Sequence, residues 1–370
     1  MFLLFSNYTF QIVLIGTLIL GSLAGCLGVF AVLRKQSLLG DCIAHAALPG
    51  ICIAFLLTLT KSSFVLLLGA IGSGVVGTIF LHLITSHSHI KNDAALGIIL
   101  SVFFGFGLFL LTYIQGLPLA HQSGLHTYLF GNASTILLQD VFVMGCIAVV
   151  VFCCVALFWK EFAMLTFDPD YTASLGLPRQ RIELLLTLLI VIAIVVGLQT
   201  VGVVLMSALV IAPAVAARQW TDSLVVMFFL AGFFACVASV FGVVISSSVS
   251  HIPTGPMIVI VVSVVVIVSL FCAPKRGLIV AWLRHHYQRV SIHQDRLLRN
   301  LLLFSESMTD PFHAHDIQAL EAIGQAGIRR ILEQLKQQGY VYEPQHNFWG
   351  LTQAGYDRAQ QLECEQGLLS

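Results

Sequence analysis

Residues 34–50, RKQSLLGDCIAHAALPG, place an acid and a histidine inside an otherwise apolar run. Asp41 and His45 lie four residues apart, so on a helix both side chains share one face and can contact one divalent cation. Counting from Arg34 at ~1.5 Å per residue puts Asp41 roughly 10 Å and His45 roughly 16 Å along the helix, near the middle of a ~30 Å hydrocarbon core. An ionisable pair at that depth predicts a metal site, and a satisfied hydrogen bond between helices is the alternative.

The composition around this stretch is that of a membrane protein. Of the 370 residues, 58% are hydrophobic and only 10% are charged, and the mean hydropathy is +0.94, which a soluble globular domain would not show. Apolar runs long enough to span a membrane fall at about 10–33, 38–59, 63–85, 94–114, 136–159, 182–200, 222–247 and 255–273, with a shorter run at 202–217. The predicted fold is an all-α polytopic membrane protein with eight or nine transmembrane helices.

Basic residues predict the orientation of these spans. Within residues 1–277, every basic residue except Lys61 falls on one side of the membrane if the short run 202–217 is counted as a crossing. This predicts nine crossings, an N-terminus retained as a membrane segment with its end outside, and a cytoplasmic tail. If the short run is re-entrant, the count becomes eight. The nine cysteines form no CxxC pair and are interpreted as buried packing residues.

A polar segment at residues 160–181, KEFAMLTFDPDYTASLGLPRQR, separates two spans on the cytoplasmic side. Asp168 or Asp170 with Pro169 can begin a helix, and Gly176 can end it. A short amphipathic helix along the membrane surface would offer a docking partner a surface to bind. An ordinary connecting loop is the other interpretation.

His251 lies in an outer-side turn, SSSVSHIPTGP, at residues 246–256. It is a candidate third cation ligand if the turn folds back toward a pore, and a plain turn histidine otherwise. The ligand chemistry narrows the cation, because a carboxylate with a neutral imidazole suits Mn(II), Fe(II) or Zn(II). An all-oxygen set would favour Mg(II) or Ca(II), and thiolates would favour Cu(I).

Six stretches of the membrane part occur in a recognisable order. They are RKQSLLGDCIAHAALPG (34–50), DAALGIILSVFFGFGLFL (93–110), YLFGN (128–132), FDPDYTASLGLP (167–178), VGVVLMSALVIAPAVAAR (201–218) and IPTGPMIVI (252–260). In this order they resemble the permeases of the manganese/zinc/iron family of ABC-type importers, over about residues 10–277. The resemblance implies a homodimer, or a heterodimer with a related permease, in the bacterial inner membrane. It also implies an extracytoplasmic metal-binding protein and separate cytoplasmic ATPase subunits as partners.

The resemblance also implies roles for particular residues. Asp41 and His45, in the GDxxxHA motif, correspond to the transmembrane metal ligands, and His251 stands where relatives often have Asp. The segment that corresponds to the coupling helix in the ATPase groove contains Phe167, Asp168, Pro169, Asp170, Leu175, Gly176 and Leu177. The chain has no G-x-x-x-x-G-K-[ST] phosphate loop, so we expect a transport subunit without enzyme activity, whose partner hydrolyses ATP. We expect no permanently bound cofactor, and metal is the transported substrate.

The last quarter of the chain is predicted to be a separate soluble piece. The predicted division is a transmembrane permease domain at 1–277, a linker at 278–293 and a cytoplasmic domain at 294–370. The predicted tail elements are helices at 294–307, 313–323 and 325–339, two strands within 340–352, and a last helix capped by Thr352. Three helices with a β-ribbon predict a winged helix-turn-helix (α+β), which resembles the DNA-binding part of diphtheria-toxin-repressor-type metalloregulators.

The charge of the tail leaves two functions open for it. Arg329, Arg330 and Lys336 cluster on the predicted recognition helix and are candidate nucleic-acid contacts. However, residues 278–370 hold eight basic and ten acidic residues, a net charge of −2. The tail is therefore either a regulatory or assembly domain of a permease, or the DNA-binding part of a membrane-tethered, metal-responsive transcription regulator. A stand-alone secondary transporter is disfavoured because the coupling-like segment would then have no partner.

Overall fold

The structure is a computed structural model, and it describes residues 8–36, 38–59, 62–116, 136–249, 252–306, 312, 314–317 and 328–367. The chain forms two compact units, Met1–Leu278 and Ile279–Ser370. In the described part, eight helices are long and apolar enough to cross a membrane. The prediction of a helical polytopic membrane protein is therefore confirmed.

The helices of the first unit follow the predicted apolar runs closely. Their bounds are α1 Tyr8–Leu33, α2 Leu39–Thr58, α3 Ser63–His87, α4 Asn92–Gly116, α5 Leu138–Leu157, α6 Trp159–Phe167, α7 Pro169–Ser174, α8 Arg179–Val201, α9 Val203–Trp220, α10 Leu224–Ser248 and α11 Thr254–Cys272. Helix α9 is the short run on which the count of eight or nine crossings depends, and its apolar part is Leu205–Trp220. A continuous helix contains this run; α8 ends at Val201 just before it, and α10 begins at Leu224 after it.

Small residues let α1 pack closely against α9 and α10. A Cβ atom added to Gly25 would lie 2.8 Å from the carbonyl oxygen of Ala231 on α10, and one added to Gly28 would lie 1.7 Å from that of Val210 on α9. Helices that approach this closely gain van der Waals contact along their length, which is the main attraction between helices in lipid. The first helix is thus a central element of the membrane unit.

An aromatic cluster closes the C-terminal end of α1. The ring of Phe30 meets the rings of Trp159, Phe162 and Phe228 edge-on, with centroids 6.0, 6.0 and 6.1 Å away. Phe30 and Phe162 are fully buried. Edge-to-face pairs of this kind add to the stabilisation from burial alone. They hold the short helix α6 against the end of α1.

The second unit contains part of α12 and a small mixed domain. Its elements are α12 Leu278–Glu306, β1 His315–Asp316, α13 Ile328–Gln337, β2 Val341–Gln345, β3 Phe348–Leu351 and α14 Gln353–Gly367. The strands form one antiparallel sheet in the order β1-β3-β2. The buried core of this unit consists of Leu297, Leu298, Leu301, Leu302, Ile317, Ile328, Leu332, Leu335, Val341, Trp349, Leu351 and Ala359. The predicted linker 278–293 lies inside α12.

Local signals in the tail sequence match several of these elements. Gly339 adopts φ +80° after α13, and the hydroxyl of Thr352 accepts a hydrogen bond from the N–H of Gly355 at the start of α14. The predicted helix at 313–323 is wrong at 315–316, because those residues pair with β3 as a strand. Most of that predicted helix lies outside the described residues.

Candidate functional site

Asp41 and His45 occupy the first two turns of α2, and both side chains are partly exposed. The edge of the His45 ring packs against the ring of Phe104 on α4, with centroids 4.5 Å apart. Within the described residues, the Nδ1 atom of His45 is buried and has no hydrogen-bond partner. An unpaired buried nitrogen disfavours a satisfied hydrogen bond between helices through that atom and leaves it available to bind a cation.

The start of α2 differs from the prediction. The predicted count treats residues 34–38 as helix, whereas α1 ends at Leu33 and Lys35 adopts φ +58°. The N–H of Gln36 donates to the carbonyl oxygen of Ala31, 2.9 Å away, which closes the end of α1. Helix α2 therefore begins only at Leu39. The predicted depths from Arg34 are too large.

Counted from the true start of α2, the pair lies closer to its N-terminus. Asp41 is about 3 Å and His45 about 9 Å along the helix axis. A carboxylate in the first turn interacts favourably with the unpaired N–H groups at the helix N-terminus. Asp41 thus has a stabilising local interaction in addition to any cation that it binds.

A close-packed seam between α2 and α3 fixes the position of the pair. Six small residues spaced four apart form the seam: Ala46, Gly50 and Ala54 on α2, and Gly69, Ser73 and Gly77 on α3. The Ser73 hydroxyl donates to the carbonyl oxygen of Ala46, 2.5 Å away. A Cβ atom on Gly50 would lie only 2.0 Å from the carbonyl oxygen of Gly69. The backbone just after His45 therefore has no freedom to move toward α3.

Pro49 changes the backbone at the site itself. It lies inside α2, four residues after His45. Because proline has no N–H, it cannot donate the helical hydrogen bond to the carbonyl oxygen of His45. This carbonyl oxygen is therefore free of that hydrogen bond and is a candidate metal ligand beside the imidazole. The pattern His-x-x-x-Pro in the sequence could have revealed this candidate ligand, but the prediction missed it.

The third predicted ligand, His251, lies outside the described residues. Where the chain is described, no group of three His, Cys, Asp or Glu side chains comes together. Asp41 and His45 supply one carboxylate and one imidazole from a single helix. Two such ligands give a weak, open site, in contrast to the four ligands of a closed structural site.

The polar segment at residues 160–181 contains a short helix, as the sequence predicts. The Asp168 carboxylate caps α7 by accepting a hydrogen bond from the N–H of Tyr171, 2.9 Å away, and Pro169 is its first residue. Gly176 adopts φ +77° just after the helix. Asp170 forms an ion pair with Arg179 at 3.0 Å.

Three apolar side chains on this segment are exposed. Phe167, Tyr171 and Leu175 are 59%, 53% and 52% exposed, and they are spaced four residues apart. Phe167 ends α6, Tyr171 lies within α7 and Leu175 directly follows α7, so the three lie at successive positions around this short helix. Leu177 is partly buried against the membrane core. The segment thus exposes several apolar side chains between α5 and α8.

A partly buried ion pair beside this segment was not predicted. Arg34, just after α1, pairs with Glu183 in the first turns of α8, and their side chains are only 10% and 26% exposed. Burial lowers the pKa of Arg34, while the Glu183 charge opposes that shift. Arginine nevertheless stays protonated in proteins. The same rule that singled out Asp41, an acid inside an apolar span, also applies to Glu183.

A second group of ion pairs in the membrane unit joins the turn between α9 and α10 to the residues after α11. Asp222, between α9 and α10, accepts hydrogen bonds from Lys275 at 3.2 Å and Arg276 at 2.7 Å. These bonds, chiefly the one from Lys275, lower the pKa of the Asp222 carboxyl. All three side chains are about half exposed, so the cluster contributes little to stability.

The candidate nucleic-acid residues of the tail differ in their surroundings. Arg329 is exposed, and the side chain of Arg330 lies outside the described residues. The Lys336 ammonium lies 2.7 Å from the Glu343 carboxylate and 5.4 Å from the centre of the Trp349 ring. The hydrogen bond from Lys336 is the main cause of a lowered pKa of Glu343. Lys336 is therefore engaged within its own domain.

Comparison with known proteins gives consistent matches across the membrane unit. The family described as "ABC 3 transport family" matches residues 6–273. The zinc transport system membrane protein TroC of Treponema pallidum is 50% identical over 292 residues, covering 79% of this chain and 97% of TroC. The manganese transport system membrane protein MntC of Bacillus subtilis is 38% identical over 356 residues, covering 96% of this chain and 82% of MntC, so that match includes the tail.

A solved structure is also similar. The structure of PsaBC from Streptococcus pneumoniae in complex with Fab matches with a TM-score of 0.64 and 32% sequence identity. The match covers 73% of this chain and 94% of the matched chain. The similarity in structure therefore agrees with the similarity in sequence.

Proposed function

Because the chain belongs to the ABC 3 transport family, we propose that it is the membrane permease subunit of an ATP-driven importer of Mn(II) or Zn(II), with Fe(II) as a third candidate. Relatives named for manganese and for zinc transport support this range of metals. Separate cytoplasmic subunits hydrolyse the ATP, and an extracytoplasmic protein delivers the metal. The permease lies in a bacterial inner membrane with its tail in the cytoplasm.

The observation that carries the proposal is the Asp41 and His45 pair on α2. Both side chains are partly exposed, and the Nδ1 atom of His45 has no partner among the described residues. Carboxylate and imidazole together suit Mn(II), Zn(II) and Fe(II). There are two additional candidate ligands. One is the carbonyl oxygen of His45, to which Pro49 cannot donate a helical hydrogen bond. The other is His251, from the outer side.

Release of the metal requires that the site bind it weakly. A transport site must bind well enough to admit its ion and loosely enough to release it. In a dimer, each permease would contribute one pair to a central path, and the second permease is a copy of this chain or a related one. Two ligands per chain, shared across the dimer axis, meet both requirements.

The exposed apolar surface of α7 supports a docking role for residues 167–177. Phe167, Tyr171 and Leu175, at and around α7, each expose about half or more of an apolar side chain, which would be unfavourable in water without a partner. Asp168 and Pro169 begin the helix, and the glycine that follows ends it, so the segment is a rigid and preformed element. We assign this segment to the contact with the ATPase subunit.

Uptake of each metal into proteoliposomes tests the proposed function. The permease, its ATPase and its metal-binding protein are reconstituted together, and ATP-driven uptake of Mn(II), Zn(II) and Fe(II) is measured separately. Replacing Asp41 and His45 together by Ala should abolish uptake of the transported metal. Asp93→Ala is the matched control, because Asp93 lies in the first turn of α4 and is exposed. Unchanged uptake of all three metals by the double variant, with normal expression, would refute the assignment.

For the tail, we propose a regulatory or assembly role within the transporter. The match to MntC of Bacillus subtilis covers 96% of this chain, so a protein named as a transport membrane protein has a similar tail. The winged helix-turn-helix stays a prediction, supported by the β2–β3 hairpin beside α13 and α14. Engagement of Lys336 by Glu343 argues against that lysine as a DNA contact.

The alternative role of the tail, DNA binding by a tethered regulator, has its own test. A gel-shift experiment with the full-length protein in detergent and the DNA upstream of its own operon measures specific binding. A specific shift that weakens with salt would support the regulator. Arg329→Ala should reduce such a shift, whereas the absence of any shift supports the transport role.

A further inference from the structure

The turn between α1 and α2 is joined to the start of α8 by the partly buried pair Arg34 and Glu183. Arg34 lies seven residues before Asp41, and Glu183 lies six residues after Leu177, the last residue of the docking segment. One residue of the pair thus belongs to the turn that begins the metal-ligand helix. The other belongs to the helix that follows the docking segment.

Two polar atoms at this turn are buried without partners. Within the described residues, Nη1 of Arg34 and Oε1 of Gln36 are buried and form no hydrogen bond. The Gln36 residue is only 5% exposed. Buried polar groups are nearly always hydrogen-bonded in stable arrangements, so two unpaired atoms in one turn indicate an arrangement that another state can improve.

A cavity beside the pair gives the turn room to rearrange. Its volume is about 430 Å³. The cavity is lined by residues from the turn, the docking segment and α8, among them Arg34, Gln36, Phe167, Pro169, Arg179 and Glu183. The close seam with α3 begins at Ala46, after both candidate ligands, whereas the first turn of α2 contacts α9 through Gly40, where an added Cβ atom would lie 3.3 Å from Cα of Ser207. A rearrangement of the turn would therefore shift the first turns of α2 relative to α9 while leaving the seam with α3 in place.

We propose that Arg34 and Glu183 are positioning residues of transport, whose ion pair carries movement of the docking segment to the turn before α2 and so to Asp41 and His45. The proposal rests on the proposed function, because it requires an ATPase that moves residues 167–177. Movement of α8 displaces the Glu183 carboxylate, and the guanidinium that it holds moves with it. The turn then changes the orientation of the first turns of α2, where both metal ligands lie.

The test measures the amount of Mn(II) or Zn(II) moved per ATP hydrolysed in the complete reconstituted complex. Glu183→Gln keeps a polar side chain but removes the charge, and Arg34→Lys keeps the charge but removes the planar guanidinium. We expect each change to lower the metal moved per ATP by roughly tenfold, a usual size for coupling between two sites, while the ATPase still co-purifies. Asp222→Asn is the matched control, because it removes exposed ion pairs from the same unit and should leave the ratio unchanged.

A charge exchange distinguishes positioning from simple stabilisation. The double variant Arg34→Glu with Glu183→Arg restores an ion pair, and we expect it to recover part of the lost ratio. If Glu183→Gln does not assemble, Arg34→Lys and the exchange provide the same comparison.

A ratio equal to that of the wild type in the assembled single variants would overturn the proposal. So would a parallel fall in transport and ATP hydrolysis that leaves the ratio intact, because that indicates a structural role only. Failure of the proposed function is distinguishable, because the wild-type complex would then show no ATP-driven uptake.

Discussion

The seam between α2 and α3 predicts that one added methyl group at Gly50 will disturb the proposed metal site at Asp41 and His45. In Gly50→Ala, the new Cβ atom would lie 2.0 Å from the carbonyl oxygen of Gly69 and 2.5 Å from Cβ of Ser73, whereas ordinary contact begins at 3.4 Å. Because the nearest atom belongs to the backbone, the helices must separate by roughly 1 Å. Overpacking of this kind costs about 1–3 kcal/mol. A displacement of about 1 Å near a reacting group can lower a rate about a hundredfold.

Two measurements on the same purified protein test this reasoning. The midpoint of thermal unfolding in detergent measures stability, and ATP-driven Mn(II) or Zn(II) uptake in proteoliposomes measures function. Gly72→Ala on α3 is the matched control, because an added Cβ there meets nothing within 4 Å. We expect Gly50→Ala to lose stability and uptake while Gly72→Ala retains both. Equal behaviour of the two variants would show that the seam does not hold the site in position.

Three further predictions concern the cytoplasmic side of the membrane unit. Leu175→Asp should weaken ATPase binding by about 1.5–3 kcal/mol, roughly ten- to a hundredfold, because the leucine is buried on docking. A co-purification titration measures this affinity, with Ser174→Asp as the neighbouring control. Equal affinities of the two variants would contradict the docking role. Asp168→Ala should destabilise α7 by about 1 kcal/mol through loss of its cap, seen as faster amide hydrogen exchange in this helix only. The hydrogen bond from Lys275 is the main cause of the lowered pKa of the Asp222 carboxyl. The stabilisation from this ion pair is therefore fully present at every pH above the usual carboxyl pKa. It is lost only as the pH falls through the lowered pKa. The small difference in unfolding midpoint between wild type and Asp222→Asn should therefore be constant from about pH 7 to 5, and a difference that disappears within that range would contradict the pairing.

Local signals in the sequence were sufficient to predict most helices. Long apolar runs predict the spans, because a lipid-exposed backbone must satisfy its hydrogen bonds within a helix. The ends of α7 were predicted because Asp168, Pro169 and Gly176 act on neighbouring backbone groups. The cap at Thr352 was predicted for the same reason. These features depend on interactions within a few residues.

Features that depend on distant residues were not predictable from local patterns. The predicted depth of Asp41 and His45 was wrong because Lys35 adopts a left-handed conformation that non-glycine residues seldom adopt. The seam between Gly50 and Gly69 and the pair formed by Arg34 with Glu183 join segments far apart in the sequence. Glycine and charged residues can be seen in the sequence, but their partners cannot.

Two pairs of ionisable residues lie at or near the start of α2. They are Asp41 with His45, and Arg34 with Glu183. Three of these four residues fall within residues 34–45, at and just before the start of α2. The remainder of α2 follows the packing rule, with close seams that leave it no freedom. The seam with α3 begins only at Ala46, so a shift of the first turns relative to α9 could present the ligands in two orientations without unfolding the helix. Both orientations must bind the metal weakly, because a tight site in either one would stop the cycle. Weak ligation at the start of a firmly packed helix, next to an incompletely satisfied turn, is therefore the combination that import through this chain requires.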